Sequence, residues 1–174
     1  MLACVAQYVA QMGDNVIGVV VDKHAESYKV DIGTHLPALL PVLAFEGATK
    51  RNRPQLQIGT IVYARVETGF KDMEVELTCV GADGKANGMG ELSPNGLVFP
   101  CSLGQARALY DPSCSVLQLI GAHVPYELAV GHNGRVWVNA ATAAHAILVR
   151  VAVLRSFAFD DPTDLVKQLV QRLA

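Results

Sequence analysis

Three cationic side chains stand almost side by side in the chain, at Lys50, Arg51 and Arg53, and Pro54 follows them directly. Lysine and arginine on a loop can bind the phosphate groups of a single-stranded nucleic acid, and a proline stiffens such a loop. The whole sequence has 14 Lys and Arg against 16 Asp and Glu, a formal net charge of -2. A slightly acidic chain has no general basic field, so the sequence predicts local phosphate contact at this cluster. The alternative is a solvated charged loop.

A fourth cation and several aromatic rings extend this set of candidates. Lys71 lies in the turn-like segment TGFKDM and is either a further phosphate contact or an ordinary surface lysine. Tyr28, Phe45, Tyr63 and Phe70 could stack on bases, as aromatic rings do in single-strand-binding barrels. Strand alternation turns at least some of these rings inward, so we expect a core role for them.

The acidic residues do not predict an enzyme site. Nuclease chemistry usually needs clustered carboxylates that hold metal ions, or a histidine-based acid and base. Asp160, Asp161 and Asp164 have the spacing of helix caps, whereas Glu74 and Glu76 fall on one solvated face of a predicted strand. Phosphate-cradling loops, dinucleotide fingerprints and nucleophile elbows are also missing from the sequence. We therefore expect a protein without catalytic activity.

The cysteines indicate a reducing compartment and no metal site. They lie far apart, without a CxxC pair and without histidines at metal-ligand spacing, so we expect buried or half-buried free thiols and no cofactor. The charge-free run 136–149 is too short to span a membrane, and the N-terminus lacks the pattern of a signal peptide. These features favour a cytosolic or nuclear protein. The four cysteines are Cys4, Cys79, Cys101 and Cys114.

The first half of the chain has the period of β-strands. Val, Ile, Tyr and Thr dominate between Asn15 and Val80, and Gly and Asp punctuate the apolar runs. Gly13 and Gly59 each lead a turn into such a run, and such glycines permit the bends that close a small barrel. Residues 1–80 are therefore predicted to form an all-β OB-like barrel. The predicted strands are NVIGVVVDK, SYKVDIG, HLPALLPVLAF, GTIVYARVETGF and DMEVELTCV.

The second half, residues 81–174, has the order of a KH module. It opens with the glycine-rich passage GADGKANGMGELSPNGLVF, which marks the domain junction. Ser102 caps a predicted helix to Tyr110, a short helix follows at 113–122, and a hairpin turns at Asn133-Gly134. A helix at 141–157 comes next, and a last helix has Asp161 as its N-cap and Pro162 in its first position. The face of the long helix predicted to be apolar comprises Ala144, Ile147, Leu148, Val151 and Leu154.

The order of elements is that of a type I KH domain, but the loop with which a KH domain binds nucleotides is missing. Nucleotide binding needs a GxxG loop between the first two helices, where this chain reads ALYDPSCSVLQ. The motif Gly131-His132-Asn133-Gly134 lies instead in the hairpin, where its residues suit a tight turn and close backbone packing. We interpret it as structural.

Several stretches of the sequence resemble the cap subunits of the eukaryotic RNA exosome. These subunits pair an S1-type OB barrel with a divergent KH domain, an arrangement that the resemblance implies here for 1–80 and 81–174. The most specific matches are FEGATKRNRP and the GxNG turn followed by the strand that contains Trp137. The family carries a further N-terminal β domain, yet twelve residues precede Gly13, so we expect either a fragment or a shortened member. The matching stretches are GDNVIGVV, SYKVDIG, LAFEGATKRNRPQLQIGTIVYARV, ANGMGEL and GHNGRVWV.

The resemblance implies a non-catalytic RNA-binding subunit. Such a subunit binds the ring of RNase PH-like subunits and other cap subunits, and it guides single-stranded RNA into the channel for 3′-to-5′ processing and degradation. In that setting Lys50, Arg51 and Arg53 would lie at the RNA entrance, and the GxNG motif would help the two domains pack. The resemblance also implies a nuclear, nucleolar and cytoplasmic location, with no membrane or small-molecule partner.

Two other functions remain open from the sequence. One is a freestanding S1/KH RNA-binding module, such as a translation-associated protein or another exosome-like cap protein, which should bind RNA tightly by itself. The other is a pure protein scaffold whose basic loop contacts carboxylates of a neighbouring protein.

Overall fold

The first half of the chain folds into a closed five-stranded barrel. The computed structural model describes residues 7–69, 73–158 and 162–172. Hydrogen-bonded pairing runs in the order β1-β2-β3-β5-β4, and β4 also pairs with β1, which closes the ring. The predicted OB-type barrel is thereby confirmed. Its strands are β1 (Asn15–Lys23), β2 (Ser27–Asp31), β3 (Ala38–Pro41), β4 (Ile61–Thr68) and β5 (Glu76–Thr78).

Alternating side chains fill the interior of this barrel, as the sequence period predicts. In β4 the burial alternates from Ile61 to Val66, so that every second side chain points inward. Branched aliphatic side chains suit this pleated, enclosed surface. The fully buried ones include Val16, Ile17, Val20, Val30, Ile32, Leu40, Val62 and Leu77.

Strand directions place the connections at two opposite ends of the barrel. β1 and β4 are antiparallel, as are β1 and β2, whereas β3 and β5 are parallel. The β1–β2 turn at 24–26 and the long β3–β4 connection at 42–60 therefore share one end. The β2–β3 connection at 32–37, the end of β4 and the start of β5 lie at the other end. The candidate basic cluster belongs to the first of these ends.

The first compact unit continues beyond the barrel strands. A short strand, β6 (Gly90–Glu91), pairs with Val62 and Tyr63 of β4. The chain accordingly divides into one unit that runs to Pro94 and includes 131–133, and a second unit made of 95–130 and 134–174. The sequence predicts a boundary after residue 80, whereas residues 81–94 of the glycine-rich passage stay with the barrel through the pairing of β6. Residues 95–99 of that passage belong to the second unit.

The second unit packs four helices with a three-stranded antiparallel sheet of order β7-β9-β8. Strand, two helices, hairpin and long helix follow one another in the predicted order, so the α+β KH-like fold is confirmed. The strands are β7 (Leu97–Pro100), β8 (Tyr126–Val130) and β9 (Arg135–Ala140). The helices are α1 (Leu103–Tyr110), α2 (Val116–Gly121), α3 (Ala143–Ser156) and α4 (Thr163–Gln171).

Local capping decides where these helices begin. Ser102 caps α1 through a capping box with Gln105, as its position in the sequence predicts. Thr142 caps α3 by accepting a hydrogen bond from the backbone N–H of His145. In α4, Pro162 occupies the N-cap position and not the first helical position, and the proposed cap Asp161 lies outside the described residues.

The buried face of α3 differs from the predicted one. Ile147 is 53% exposed, whereas Val149 and Val153 are fully buried, so the predicted stripe is wrong in part. Apolar residues cover α3 on nearly every side, and a helix of that kind gives no periodic signal that distinguishes its core-facing side. Among the described residues, no helix has the length and apolar character needed to cross a membrane.

Candidate nucleic-acid interface

The predicted RNA-contacting cations lie on one turn of the β3–β4 connection, residues 45–54, which we call the basic loop. Thr49 and Asn52 bind each other: the Thr49 N–H donates to the Asn52 carbonyl at 3.0 Å, and the Asn52 N–H donates to Thr49 Oγ1 at 3.0 Å. Lys50 and Arg51 form the tip of this turn, and both are exposed. The local hydrogen bonds hold their backbone while the side chains extend into solvent.

A buried tyrosine anchors the end of the basic loop. The Tyr28 hydroxyl donates to the carbonyl of Pro54 at 2.6 Å and accepts from the N–H of Leu56 at 3.3 Å. Tyr28 is only 3% exposed. Its ring therefore belongs to the barrel core and its hydroxyl fixes the loop, in agreement with the expected core role.

Arg53 has a different environment from its two neighbours. Its guanidinium donates to the carbonyl of Lys50 at 3.3 Å and to that of Ala25, in the β1–β2 turn, at 3.0 Å. Arg53 thus joins two connections at the same barrel end. Within the described residues, Lys50 and Arg51 make no ion pair, so their charges are available to an external anion. The cluster therefore contains two accessible cations and one cation that also has a structural task.

The connection 81–89 lies against the basic loop, although the sequence does not indicate it as part of this site. The Ala86 N–H donates to a carboxylate oxygen of Glu46 at 2.7 Å, which holds the 81–89 connection against the basic loop. Lys85 is exposed on that connection. Nothing in the linear sequence indicates this contact, since 40 residues separate its two partners.

Of the four remaining RNA-contact candidates, two lie among the described residues and two do not. Lys71 and Phe70 lie outside the described residues. Phe45 and Tyr63 are half-buried. The structure thus brings Lys50, Arg51 and Arg53 together at one barrel end.

Three residues of the GxNG motif, Gly131 to Asn133, belong to the first unit, and two of them bind its first strand. The His132 N–H donates to the Asn15 carbonyl at 2.7 Å, and the Asn15 N–H donates to His132 Nδ1 at 3.2 Å. The Asn133 side chain lies deeper: Nδ2 donates to the carbonyls of Ile17 and Ile32 at 2.8 Å each, and Oδ1 accepts from the Ile17 N–H at 3.3 Å. A side-chain amide thereby bridges two barrel segments in the way that a neighbouring strand would.

Gly134 completes the motif within the second unit. Its φ of +77° lies in the left-handed region, and its carbonyl accepts from the Cys101 N–H at 2.7 Å. Gly131 precedes this turn at the end of β8. All these contacts join backbone to backbone or side chain to backbone, and they leave His132 engaged with Asn15. The motif thus forms a tight turn and binds the backbone of Asn15, Ile17 and Ile32. Its structural role stays a prediction.

The described cysteines are free thiols, one of them deeply buried. Cys79 is buried, and Cys101 and Cys114 are half-buried. Cys4 lies outside the described residues. Burial raises the pKa of the Cys101 thiol and raises that of Cys79 from 9.0 to about 12. Such thiols are poor nucleophiles at neutral pH. The described residues contain no group of three or more His, Cys, Asp or Glu side chains placed to hold a metal ion.

We expect Cys79 to make folding less favourable at high pH. Above its ordinary pKa of 9.0 the unfolded chain releases a proton that the folded chain keeps until about pH 12. The free energy of unfolding should therefore fall by about 1.4 kcal/mol per pH unit in this window from this group. Urea titrations at several pH values, on the wild type and on Cys79→Ala, measure the contribution. The variant should show the shallower decline, and equal slopes would contradict the assignment.

Two family models match the chain in tandem. The model for the S1 domain of exosome complex component RRP40 matches residues 8–90, and a KH-domain model matches residues 96–144. The first match lies in the first compact unit, and the second extends from the start of the second unit to residue 144, in the order that the fold shows.

Two relatives that match nearly the whole chain are named exosome complex component RRP40. Exosome complex component RRP40 of Homo sapiens is 42% identical over 168 residues, which are 97% of this chain and 60% of the human protein. Exosome complex component rrp40 of Schizosaccharomyces pombe is 40% identical over 170 residues, which are 96% of this chain and 71% of the yeast protein. The chain also spans 60% of the length of its bovine relative.

A solved structure has the same fold. A crystal structure provisionally described as an exosome complex RNA-binding protein superposes with a TM-score of 0.72 at 22% identity. The match covers 95% of this chain and 94% of that one. At this level of identity the likeness concerns the fold alone.

Proposed function

The chain belongs to the RRP40 family of exosome complex components, and from this premise we propose that it acts as a non-catalytic RNA-binding cap subunit of the exosome. Its S1 and KH domains are of RNA-binding types. In this role it stabilises the ring of RNase PH-like subunits and guides single-stranded RNA into the channel for 3′-to-5′ processing and degradation.

The geometry of the basic loop carries this proposal. Lys50 and Arg51 extend from a hydrogen-bonded turn at one end of the barrel, and Tyr28 fixes the end of that turn. A held turn presents cations without the full entropic cost of ordering a mobile loop. Phosphates passing the barrel end can therefore be bound without base recognition, which is how sequence-tolerant single-strand binding works.

The features of the second unit favour a structural role and not a second RNA-binding site. Between α1 and α2 the chain reads Asp111-Pro112-Ser113-Cys114-Ser115, with no glycine pair to clamp a nucleic-acid backbone. We propose that this unit contributes to assembly with the ring and with other cap subunits. The role implies nuclear, nucleolar and cytoplasmic locations, which stay a prediction.

RNA binding by the basic loop is tested through the salt dependence of affinity. Each phosphate contact to a single strand contributes a slope of about 0.7 in a plot of log K against log salt concentration. The double variant Lys50→Ala/Arg51→Ala should lower that slope by about 1.4, and the triple variant with Arg53→Ala by about 2. Fluorescence anisotropy with an oligouridylate, on the chain assembled with ring subunits, supplies the measurement.

The matched control removes two exposed cations elsewhere. Arg107 and Arg155 are exposed on helices of the second unit, so Arg107→Ala/Arg155→Ala changes net charge equally while sparing the basic loop. Its slope should equal that of the wild type. If both double variants lower the slope alike, the effect is one of overall charge. An unchanged slope in the loop variants, with ring association intact, would favour the scaffold function.

A further inference from the structure

A second connection of the chain lies at the barrel end that carries the basic loop. Strand β5 is parallel to β3, so both strands finish at this end, and the residues after β5 follow there. The Cys79 N–H donates to the carbonyl of Ala44 at 2.9 Å. The Ala86 N–H donates to a carboxylate oxygen of Glu46 at 2.7 Å. The connection 81–89 is thus bound at the start of the basic loop.

Lys85 stands on this connection with its backbone held on both sides. The Lys85 N–H donates to Asp83 Oδ1 at 3.2 Å, and the Lys85 carbonyl accepts from the Gly81 N–H at 2.8 Å. The next residue is Ala86, whose N–H is held by Glu46. Lys85 is exposed, and its side chain forms no ion pair with another residue that the structure describes. Its ammonium group is therefore open to an external anion while its backbone is fixed.

A tight turn follows Lys85 and adds to the order of the connection. Asn87 and Gly88 both have a positive φ, of +51° and +83°. Positive φ at two successive positions defines a turn in which asparagine and glycine are favoured. Asn87 Nδ2 donates to Asp83 Oδ1 at 3.1 Å, so one carboxylate holds both this turn and the N–H of Lys85. Local hydrogen bonds therefore fix the chain on either side of Lys85.

The path from Lys85 to the cations of the basic loop is short. Glu46 stands four residues before Lys50, and four residues span at most about 14 Å even when extended. The Ala48 N–H donates to the Phe45 carbonyl at 3.1 Å, and this turn shortens the path further. A single strand carries a phosphate at every nucleotide, so a short segment of RNA can meet the cations of both connections in succession.

The exposed surface of the connection suits a phosphate backbone better than an apolar partner. Aromatic and large apolar side chains usually form the centre of a protein interface. Between Gly81 and Met89, all of which the structure describes, no side chain of that kind is exposed. Phosphates instead need cations and polar donors. The exposed residues are Ala82, Asp83, Gly84, Lys85, Asn87 and Gly88.

Glu46 is a carboxylate within a cationic cluster, where its charge opposes phosphate binding. Its hydrogen bond to the Ala86 N–H gives it another task, because an ionised acceptor makes a stronger hydrogen bond than a neutral one. That bond holds the residue next to Lys85. Without it, part of the binding free energy would be needed to order Lys85 on the RNA.

We infer, on the premise that the basic loop binds RNA, that Lys85 is a further phosphate-contacting residue and that Glu46 is its positioning residue. The basic loop and the 81–89 connection then form a two-sided phosphate site at this end of the barrel. RNA passes between them and meets cations on both sides.

The contact of Lys85 is tested through the salt dependence of affinity. Lys85→Ala should lower the slope of log K against log salt concentration by about 0.7, the contribution of one phosphate contact to a single strand. Fluorescence anisotropy with an oligouridylate, on the full chain assembled with ring subunits, gives the slope. Lys85→Arg keeps the charge and should restore it. Lys167→Ala removes an exposed lysine of the second unit and, as the matched control, should leave the slope unchanged.

The role of Glu46 is tested by the sign of its effect. Coulomb interaction alone predicts that loss of this carboxylate tightens RNA binding. Positioning predicts the opposite for Glu46→Ala, about fivefold weaker binding, because Lys85 must then be ordered when RNA binds. Glu46→Gln keeps an acceptor for the Ala86 N–H without the charge, so it should bind RNA at least as tightly as the wild type.

The outcomes separate this inference from the proposed function. If Lys50→Ala/Arg51→Ala lowers the slope and Lys85→Ala does not, the Lys85 contact is wrong and RNA binding by the basic loop stands. If neither variant lowers the slope, both are wrong. An equal fall with Lys167→Ala would assign the effect to overall charge and overturn the contact. Binding by Glu46→Ala as tight as that by Glu46→Gln would contradict the positioning role.

Discussion

Replacement of Asn133 by alanine is expected to lower the free energy of unfolding by about 4 kcal/mol, because three buried backbone groups lose a hydrogen bond together. The amide holds the N–H and carbonyl of Ile17 and the carbonyl of Ile32. Ile17 and Ile32 are fully buried, so water cannot easily replace the amide. Urea titration, with amide hydrogen exchange in β1 as a local probe, measures the loss.

Two further variants sharpen this prediction. Asn133→Asp has the same shape but presents an oxygen where Nδ2 donates to two carbonyls, so it should destabilise the protein at least as much at neutral pH. Asn52→Ala removes an exposed amide and should change stability by less than about 0.5 kcal/mol. A cost for Asn133→Ala no larger than that of Asn52→Ala would show that the amide does not brace the barrel.

Replacement of Gly134 by alanine should lower the free energy of unfolding by about 3 kcal/mol, because the new Cβ strains the backbone and overlaps a neighbouring backbone atom. A residue with φ of +77° is strained once it carries a Cβ. That Cβ would lie 2.7 Å from the Cys101 carbonyl oxygen, a backbone atom held close by the Cys101–Gly134 hydrogen bond. The turn must therefore open, and the pairing of β7 with β9 should weaken with it. Thermal unfolding and exchange of the β9 amides are the readouts.

Gly84 provides the control that separates strain from overlap. Its φ of +76° is nearly the same, but a Cβ built there would meet nothing within 4 Å. Gly84→Ala should then cost about 1 kcal/mol, from conformation alone. The difference between the two variants measures the steric part. If Gly134→Ala and Gly84→Ala lower the free energy of unfolding equally, the overlap with the Cys101 carbonyl does not destabilise the protein.

Local patterns in the sequence were enough for the elements and their order. Alternation predicted the barrel strands, Ser102 predicted the start of α1, and Asn133-Gly134 predicted the hairpin turn. Each of these signals comes from interactions within a few residues, such as a cap or a tight turn, and such interactions can be recognised without knowing the partner strand. The basic character of the 50–53 segment was equally plain.

Distant contacts decided what these residues do. In the sequence, Arg53 cannot be distinguished from Lys50 and Arg51. In the structure, its guanidinium binds the carbonyl of Ala25, 28 residues away. The sequence predicts a core role for Tyr28, but only the structure shows that its hydroxyl also binds the backbone of Pro54 and Leu56. Periodicity failed for α3, where apolar residues surround the helix and only its neighbours select the buried side.

The sequence by itself thus determined which segments become strands, helices and turns, and where positive charge gathers. Only the tertiary structure decided which cations are accessible, that 81–94 remain with the barrel, and that Asn133 reaches Ile17, 116 residues away. The physical reason is that strand register and side-chain partners depend on pairing between distant segments, whereas caps, turns and alternation depend on neighbours in the chain.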